Sequence, residues 1–308
     1  MQPINVAVIG SGFMGAAHVD GLRRVPGVNV VAISSIDRPR AEELAQSFAI
    51  PHVYDDWRDL LRHDDIVAVH NCTPNNLHFE VNRELLNAGK HVLSEKPLTL
   101  TSEESAELVR IAQEKGVYTA INFNYRGYPI IQHAHGMVSR GELGDLHLVQ
   151  GHYLQDWLLH DTDYNWRLES GISGASRAIA DIGSHWCDLI QFITGRKIEK
   201  VFAHLYTVHG TRKKPRQEVE TYKGKELGAP TEYDEVPIDT EDGGFVLMEL
   251  SGGLRASLTV SQVSAGRKNR QWFEIDGSRR AISWNQEEPN QLWIGHRDEP
   301  NEILFMDR

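Results

Sequence analysis

Short apolar runs alternate with amphipathic stretches through the first 124 residues of the chain. The apolar runs predict buried strands, and the stretches between them repeat their apolar residues at helical spacing. Strands and helices that alternate in this way predict an α/β fold with a doubly wound parallel sheet and right-handed crossovers, the Rossmann architecture. The predicted strands are residues 4–9, 29–33, 66–71, 91–94 and 117–123, with a helix after each of the first four.

Beyond residue 124 the pattern changes to strands that follow one another without helices between them. One helix is predicted over residues 129–139, and the later strand-like runs are expected to pair antiparallel. In residues 256–261 apolar side chains alternate with Ser and Thr, so one face of this sheet is expected to be polar and to meet water or another subunit. We therefore divide the chain into a dinucleotide-binding domain, 1–124, and an α+β domain, 125–308, in which residues 210–243 are the least structured span.

Composition and charge narrow the class of protein. The 308 residues suffice for two domains with their own cores, and the formal net charge of -11 argues against nucleic-acid binding. The basic run at residues 212–216 is expected to be a solvated loop. Two cysteines make no disulfide framework, a first strand at Ile4 leaves no room for a signal peptide, and no apolar run could cross a membrane. A cytoplasmic location is expected.

The first predicted strand ends in a glycine-rich turn that opens a helix. In the sequence from Gly10 to Gly15, the first glycine makes the tight turn, Gly12 lets the backbone approach a pyrophosphate, and Gly15 lets the helix pack on the strand. The helix N-terminus then offers free N–H groups to the phosphates. This turn predicts a dinucleotide site, to which Phe13 and Met14 also belong.

The end of the second strand bears on the choice of dinucleotide. An NAD enzyme usually places an acid there for the ribose 2′-hydroxyl, whereas this chain has Ser34 and Ser35, with Arg38 and Arg40 nearby. Small hydroxyls and guanidinium groups suit a 2′-phosphate, so NADP(H) is slightly favoured over NAD(H). The alternative is that both arginines are the exposed face of a helix that runs to residue 48.

Other candidate cofactor contacts follow later strands. The third strand ends before Thr73, Pro74 and Asn75, and His78 opens the next helix, where its role is either at the ribose and nicotinamide or only structural. Glu95 and Asn122 are further candidates. Lys96 stands at the end of the fourth strand, where open α/β sheets bind their ligands.

The segment from Asp181 to Asp188 carries the chemistry of the second domain. Ser184 is a natural N-cap, which would place His185 in the first turn of a helix that ends near residue 194. A helix N-terminus disfavours imidazolium, so the ring would stay neutral and accept a proton. The alternatives are a metal site, for which no second ligand cluster is present, and an ordinary half-buried histidine.

An aromatic loop precedes this segment. Trp157 and Trp166 are either core residues or a substrate wall, and the polar residues Asn165 and Arg167 beside them favour the wall. Arg126, which follows the last strand of the first domain, is a further candidate for substrate binding.

These motifs together resemble the glucose-fructose oxidoreductase, inositol dehydrogenase and MocA family over nearly the whole chain. The resemblance is carried by the glycine turn, by Thr73-Pro74 with His78, by Glu95-Lys96-Pro97, by the turn 141–144, and by Asp181 with His185. It implies that the second domain contains a large open sheet that forms dimers or tetramers. It also implies that Lys96, Asp181 and His185 line the site at the nicotinamide and act on sugars, polyols or related secondary alcohols.

We therefore expect an NAD(P)-dependent dehydrogenase that transfers hydride between the nicotinamide and a secondary alcohol or ketone of a sugar, polyol or cyclitol. His185 would take the hydroxyl proton, Asp181 would orient the substrate or relay the proton, and Lys96 would stabilise the reacting oxygen. The alternatives are an NAD-dependent glycosidase of the same fold, a non-catalytic NAD(P)-sensing regulatory protein, and an imine or biliverdin-type reductase.

Overall fold

The computed structural model describes residues 3–216 and 232–306. The chain divides into two compact units, Met1–Asn122 with Gly171–Gly174 and Phe123–Ser170 with Ala175–Arg308. The assignment of residues 1–124 to the cofactor and of 125–308 to the substrate stays a prediction.

The first unit contains a six-stranded sheet in which every pair of neighbouring strands is parallel. The strand order is β3-β2-β1-β4-β5-β6, so the direction of winding reverses at β1, which is where such sheets bind ligands. The predicted doubly wound sheet is confirmed. Its elements are β1 (Ile4–Ile9), α1 (Phe13–Arg23), β2 (Val28–Ser34), α2 (Arg38–Phe48), β3 (His52–Tyr54), β4 (Ile66–Asn71), α3 (His78–Asn87), β5 (His91–Ser94), α4 (Ser102–Lys115) and β6 (Thr119–Ile121).

The sheet of the first unit separates two apolar cores. Successive residues of β1 point to opposite faces, so Val6 and Val8 enter the core beneath α1 and α2. Ala7 and Ile9 enter the core beneath α3 and α4. This explains why β1 has a continuous apolar run rather than an alternating one.

The second unit is built on an eight-stranded sheet of order β16-β15-β14-β13-β7-β12-β11-β8. Only the β7–β12 pair is parallel, so the prediction of a mostly antiparallel sheet is confirmed. The elements are α5 (Pro129–Ser139), β7 (Leu146–Leu154), α7 (Ser184–Thr194), β8 (Ile198–Tyr206), β9 (Thr211–Pro215), β10 (Tyr233–Pro237), β11 (Gly243–Leu250), β12 (Leu254–Ser261), β13 (Arg270–Gly277), β14 (Ala281–Asn285), β15 (Gln291–Gly295) and β16 (Glu302–Phe305). The short helix α6 (Ser170–Ser173) belongs, except for Ser170, to the first unit.

Helices α5 and α7 cover the inner face of this sheet, with one large core between them. Trp186 of α7 shows why the packing is close, since it is fully buried and its Nε1 donates to the carbonyl oxygen of Trp272 at 2.9 Å. A Cβ atom on Gly151 of β7 would lie 2.3 Å from the same Nε1. The glycine therefore lets the indole lie directly on the sheet, which sets the position of the helix that carries His185.

The outer face of the sheet is only partly polar. The side chains of Ser257 and Thr259 alternate with buried apolar residues of β12, as predicted. On the neighbouring strands, however, Phe202, Phe245 and Leu247 are 72, 52 and 58% exposed. The prediction of a polar face therefore holds for β12 and is wrong for β11 and β8.

The basic run at residues 212–216 is not a solvated loop. Its residues 212–215 belong to β9, which pairs with β10, and the fully buried Arg212 bonds to Asp242. The prediction of a solvated loop is wrong because the buried carboxylate of Asp242, 30 residues later in the chain, pairs with the guanidinium of Arg212. Residues 217–231, part of the span predicted to be least structured, lie outside the described residues. No helix among the described residues is long and apolar enough to span a bilayer.

Candidate active site

The glycine turn of the first unit lies at the carboxyl end of β1 and opens α1. Gly10 has φ +102°, and a Cβ there would lie 2.6 Å from the carbonyl oxygen of Cys72. A Cβ on Gly15 would lie 1.9 Å from the carbonyl oxygen of Gly10. A Cβ on Gly12 would meet nothing within 4 Å, so the turn has open space beside the helix N-terminus. This geometry fits a dinucleotide pyrophosphate, because backbone N–H groups are presented without a side chain in the way.

The residues that bear on the 2′-position of a ribose follow β2. Ser34 is the last residue of β2 and is 1% exposed, whereas the hydroxyl of Ser35 lies 2.8 Å from that of Ser11. The guanidinium of Arg38 is exposed and bonds to Glu42 at 2.6 Å and to Asp55. These contacts raise the pKa of Arg38 above its ordinary value. The guanidinium of Arg38 is thus already paired with the carboxylates of Glu42 and Asp55. Contact of Arg38 or Arg40 with a 2′-phosphate stays a prediction.

His78 joins two turns at the edge of the sheet. Its ring is fully buried, with Nδ1 2.6 Å from the carbonyl oxygen of Pro97 and Nε2 2.8 Å from that of Thr73. Burial lowers the pKa of this imidazole, and the two carbonyl contacts work against that effect. His78 therefore has the structural role that was one of its two predicted alternatives, since its ring joins the turn at Thr73 to the turn at Pro97. Contact of His78 with a cofactor stays a prediction.

The turn that begins at Thr73 is anchored from both sides. Asn71 accepts from the amide and hydroxyl of Thr73 at 3.2 and 2.8 Å and donates to Asn82, which in turn donates to Ser94. Asn75 donates to the carbonyl oxygen of Ser173 at 3.1 Å. This buried polar chain holds the ends of β4 and β5 in register, next to the exposed Pro74.

Glu95 is the centre of a buried polar group that orders the segment before Lys96. Its Oε1 lies 2.9 Å from Nε2 of His18 and accepts from Asn122 at 2.7 Å, and its Oε2 accepts from the backbone amide of Lys96 at 3.3 Å. Although burial raises the pKa of Glu95, the bonds from His18 and Asn122 outweigh it and hold the pKa below its usual value. The other ring nitrogen of His18 lies 2.8 Å from Nδ1 of His70. Burial lowers the pKa of His70 to about 4, so His70 is neutral.

Sequence reasoning missed His18 and His70, although one signal was present. His18 lies on the same face of α1 as Val19 and Leu22, and a histidine among buried apolar residues needs a polar partner. The partner, Glu95, is 77 residues away, so the pairing appears only in the fold.

Ser184 is not the N-cap of the helix that carries His185, so this prediction is wrong. A π-helical turn, Ile179–Gly183, precedes α7 without a break, and the Ser184 hydroxyl donates back to the carbonyl oxygen of Ala180 at 2.6 Å. The start of the helical segment is capped instead by Glu241, whose carboxylate accepts from the amides of Arg177 and Ile179 at 3.0 and 2.9 Å. His185 therefore lies inside a continuous helical segment, and the argument from a helix N-terminus does not apply to it.

The imidazole of His185 lies among aromatic rings and is 9% exposed. Its ring centroid is 5.0 Å from that of Tyr125 and 5.5 Å from that of Phe123, both in edge-to-face geometry, and 6.3 Å from that of Tyr153. The hydroxyls of the two tyrosines lie 2.6 Å apart. This packing restricts the ring to a narrow range of orientations.

Both carboxylate oxygens of Asp181 have partners in the second unit. Oδ1 lies 3.3 Å from Nε of Arg167, and Oδ2 accepts from Nε2 of Gln262 at 2.9 Å. Asp181 belongs to the π-helical turn four residues before His185, so the two side chains project from nearly the same side of the segment. The structure thus brings together Asp181 and Arg167 of the predicted set and adds Gln262, which the sequence did not indicate.

The aromatic loop is polar at its surface and ordered by its own residues. Asn165 is 8% exposed and accepts from the backbone amide of Arg167 at 3.1 Å, and the guanidinium of Arg167 lies 4.5 Å from the ring centre of Trp166. Trp157 is half-buried and donates to Gln155 at 2.9 Å. The alternative that these tryptophans are core residues is not favoured, because both keep part of their surface exposed.

Arg126 pairs with a different carboxylate from the one that Arg167 and Gln262 hold. Its guanidinium forms a bidentate pair with Asp188 and lies 5.1 Å from the ring centre of Phe192. Contact of Arg126 with a substrate stays a prediction.

Within the described residues, no three side chains of His, Cys, Asp or Glu gather as metal ligands.

The first unit is a doubly wound sheet with an open glycine turn at its first helix, and the second unit contains an anchored carboxylate and an imidazole. This combination is typical of oxidoreductases that use a nicotinamide dinucleotide. Residues 4–123 match the model of an oxidoreductase family with an NAD-binding Rossmann fold, and residues 131–283 match the C-terminal domain of the same family. The chain belongs to the glucose-fructose oxidoreductase, inositol dehydrogenase and MocA family, as its motifs predicted.

Similar proteins include levoglucosan dehydrogenase of Pseudarthrobacter phenanthrenivorans, which is 30% identical over 305 residues, with 96% of this chain and 76% of that protein covered. A levoglucosan dehydrogenase structure in complex with NADH and L-sorbose superposes with a TM-score of 0.89 at 29% identity, over 99% of this chain and 80% of that one. An inositol dehydrogenase homologue from Azotobacter vinelandii, in complex with NAD+, gives a TM-score of 0.83 at 27% identity, over 99% and 76% of the two chains. The predicted class of NAD(P)-dependent oxidoreductase is confirmed.

Proposed function

We propose that this protein is a dehydrogenase that oxidises a secondary alcohol of a sugar, polyol or cyclitol, or reduces the matching ketone. The observation that carries the proposal is the pair of Asp181, held at both carboxylate oxygens, and His185 four residues later on the same helical segment. Relatives named for the oxidation of levoglucosan and inositol support the class of substrate.

The residues have distinct roles in this proposal. The ring of His185 takes the proton of the reacting hydroxyl, and the ammonium of Lys96 donates a hydrogen bond to the same oxygen and stabilises the negative charge that develops on it. Asp181 orients the substrate by accepting from a hydroxyl. A bound nicotinamide would supply the acceptor for the hydride of the carbinol carbon, while His185 holds the proton of the hydroxyl, so that loss of the C–H and O–H bonds would leave a carbonyl.

Other predicted residues bind the two ligands. The glycine turn, with Phe13 and Met14, holds the pyrophosphate, and the residues near β4 and β5 hold the ribose and nicotinamide. The loop residues Trp157, Asn165, Trp166 and Arg167 form the substrate wall, whose exposed indole surface suits the apolar face of a sugar ring.

The cofactor preference is proposed to lean towards NADP(H). Ser35 follows β2 at the position where an NAD enzyme usually has an acid, which would repel a 2′-phosphate, and Arg40, five residues later, is half-buried. The ion pairs of Arg38 with Glu42 and Asp55 oppose a strong preference, because they already neutralise that cation. We expect Ser35→Asp to raise the Kd for NADP(H) at least tenfold and to leave the Kd for NAD(H) within about threefold.

The second unit is proposed to form dimers or tetramers through the outer face of its sheet. Phe202, Phe245 and Leu247 form an exposed apolar cluster on neighbouring strands, and such a cluster on a soluble surface usually marks an interface. Light scattering of the purified protein tests this, with Phe202→Lys expected to yield monomers. The cytoplasmic location stays a prediction.

The function is tested on purified protein with a panel of sugars and cyclitols, with NAD and NADP, by the absorbance of the reduced nicotinamide. His185→Ala is expected to lower kcat about 10²- to 10⁴-fold, the usual contribution of a placed acid or base, with cofactor binding unchanged. His133→Ala, an exposed histidine of α5, is the matched control and should keep full turnover. Full turnover of the His185 variant would remove this residue from the mechanism, and release of free sugar without net reduced cofactor would indicate a glycosidase.

A further inference from the structure

The carboxamide of Gln262 is held in one orientation by a buried arginine. Gln262 follows β12, and its side chain is fully buried between Arg177 and Asp181. The Nη1 atom of Arg177 lies 3.1 Å from Oε1 of Gln262. Because a guanidinium can only donate, the carboxamide oxygen must face it, and Nε2 must face Asp181.

Arg177 is itself fixed by a buried carboxylate. Its Nη2 atom lies 2.5 Å from Oδ1 of Asp242, and its Nε donates to the hydroxyl of Thr240 at 3.1 Å. The side chains of Arg177 and Asp242 are fully buried, so neither can exchange its partner for water without a large cost. A rigid chain of contacts therefore runs from Asp242 through Arg177 and Gln262 to Asp181.

We propose that Gln262 is a positioning residue for the reaction, which fixes the direction of the Asp181 carboxylate through the 2.9 Å bond from its Nε2 to Oδ2. This inference rests on the proposed function, since it assigns a role beside Asp181. The second oxygen of Asp181 is held by Arg167, and Arg167 also lies on the loop proposed as substrate wall. Gln262 thus holds the carboxylate from the side of the sheet, and Arg167 holds it from the loop.

Gln262→Glu separates a positioning role from a structural one. The glutamate keeps an oxygen for Arg177 and even strengthens that pair, but it replaces the N–H donor with a second carboxylate oxygen against Asp181. If neither the Gln262 amide nor the direction of the Asp181 carboxylate matters to the reaction, this variant keeps its activity. If the donated bond matters, kcat falls about 10- to 100-fold, because a misplaced group near 1 Å off costs about that much, while the Kd of the cofactor stays within twofold.

Gln150→Glu is the matched control. Gln150 lies on the same sheet, on β7, and its amide also donates to a carboxylate, that of Glu274, at 3.4 Å. The substitution makes the same chemical change away from Asp181 and should leave kcat unchanged. A kcat of Gln262→Glu within twofold of the wild type would overturn the proposal.

A measurement of stability keeps the inference separate from the proposed function. Gln262→Glu is also expected to lower the urea midpoint, because two buried carboxylates would then face each other. In the exchanged pair Asp181→Asn with Gln262→Glu, the asparagine amide can donate to the new carboxylate, so this loss of midpoint should be recovered although turnover is not. A midpoint that stays as low as in the single variant would show that the two side chains are not coupled and would overturn the inference. A wild-type protein inactive on every alcohol would refute the proposed function, and the midpoints would still decide whether Gln262 holds Asp181.

Discussion

The carboxylate of Asp242 lies between two buried guanidinium groups, and its replacement by Asn is the most informative change in the second unit. Oδ1 lies 2.5 Å from Nη2 of Arg177 and 2.7 Å from Nη2 of Arg212, and all three side chains are fully buried. Oδ2 accepts from the amides of Val208 and His209 at 2.7 and 3.0 Å. Asn has nearly the same shape, so the substitution removes charge without opening a cavity.

The expected cost follows from what the two arginines lose. Removing one partner of a buried ion pair costs about 3–5 kcal/mol, because the remaining charge stays desolvated and unpaired. Here one neutral amide would face two cations. Its NH₂ group would also meet two of the four N–H donors that now reach the carboxylate, because each oxygen of Asp242 accepts two of them. We therefore expect the free energy of unfolding of the second unit to fall by about 3–5 kcal/mol, or its Tm by roughly 6–20 °C for a domain of this size.

The pH dependence gives a second readout of the same carboxylate. Burial raises the pKa of Asp242, but the bonds from Arg177 and the His209 amide, with the two guanidinium charges, outweigh it and lower the pKa below the ordinary value. Such a group stabilises the fold above the unfolded pKa, about 3.9, and the contribution is lost as the pH falls through the lower folded value. The wild type should therefore lose stability below about pH 4 more steeply than Asp242→Asn does.

Urea unfolding followed by tryptophan fluorescence measures both effects, and Asp234→Asn is the matched control. Asp234 is in the same unit and pairs with Arg216 at 2.8 Å, but both side chains are 57% exposed, so a loss of at most about 1 kcal/mol is expected. Equal losses for the two variants, within about 0.5 kcal/mol, would refute the claim that the buried pair stabilises this unit.

Three further changes test the first unit. Gly15→Ala places a Cβ 1.9 Å from a backbone carbonyl oxygen and should abolish binding of the dinucleotide, measured by fluorescence titration; unchanged affinity would contradict the geometry. Thr101→Ala removes the side chain that accepts from the amide of Glu104 and should cost about 1 kcal/mol in urea unfolding, whereas Thr101→Ser should cost little. His18→Leu removes a hydrogen-bond partner of the buried Glu95 and should cost roughly 1–3 kcal/mol and lower kcat, and a neutral effect on both would argue against an ordering role.

Local signals in the sequence predicted most of the first unit. The glycine turn and the apolar runs each depend on residues within a few positions, and each corresponds to an element of the structure. Three of the five predicted strands have the observed bounds and the other two differ by one or two residues at each end, whereas β3 was missed because its three residues carry no pattern. In the second unit, β9 and β10 were missed because their residues are largely charged.

The errors share a physical cause. Ser184 has the composition of an N-cap, but the amides at the start of that segment are satisfied by Glu241, 62 to 64 residues away. Arg212 stands in a basic run typical of a solvated loop, but Asp242 is 30 residues away and makes its burial possible. A long-range partner changes the free energy of a polar side chain by more than its local propensity does.

The sequence by itself determined the fold class, the family and the residue types of the candidate chemistry, because spacing of apolar residues and glycine positions act locally. Only the tertiary structure decided that Glu95 is bonded to His18, that Gln262 holds Asp181, and that Asp242 lies between two arginines. Each of these contacts joins residues at least 30 positions apart in the chain. The tertiary arrangement of strands and helices brings such residues together, and the local pattern of apolar and polar residues does not reveal it.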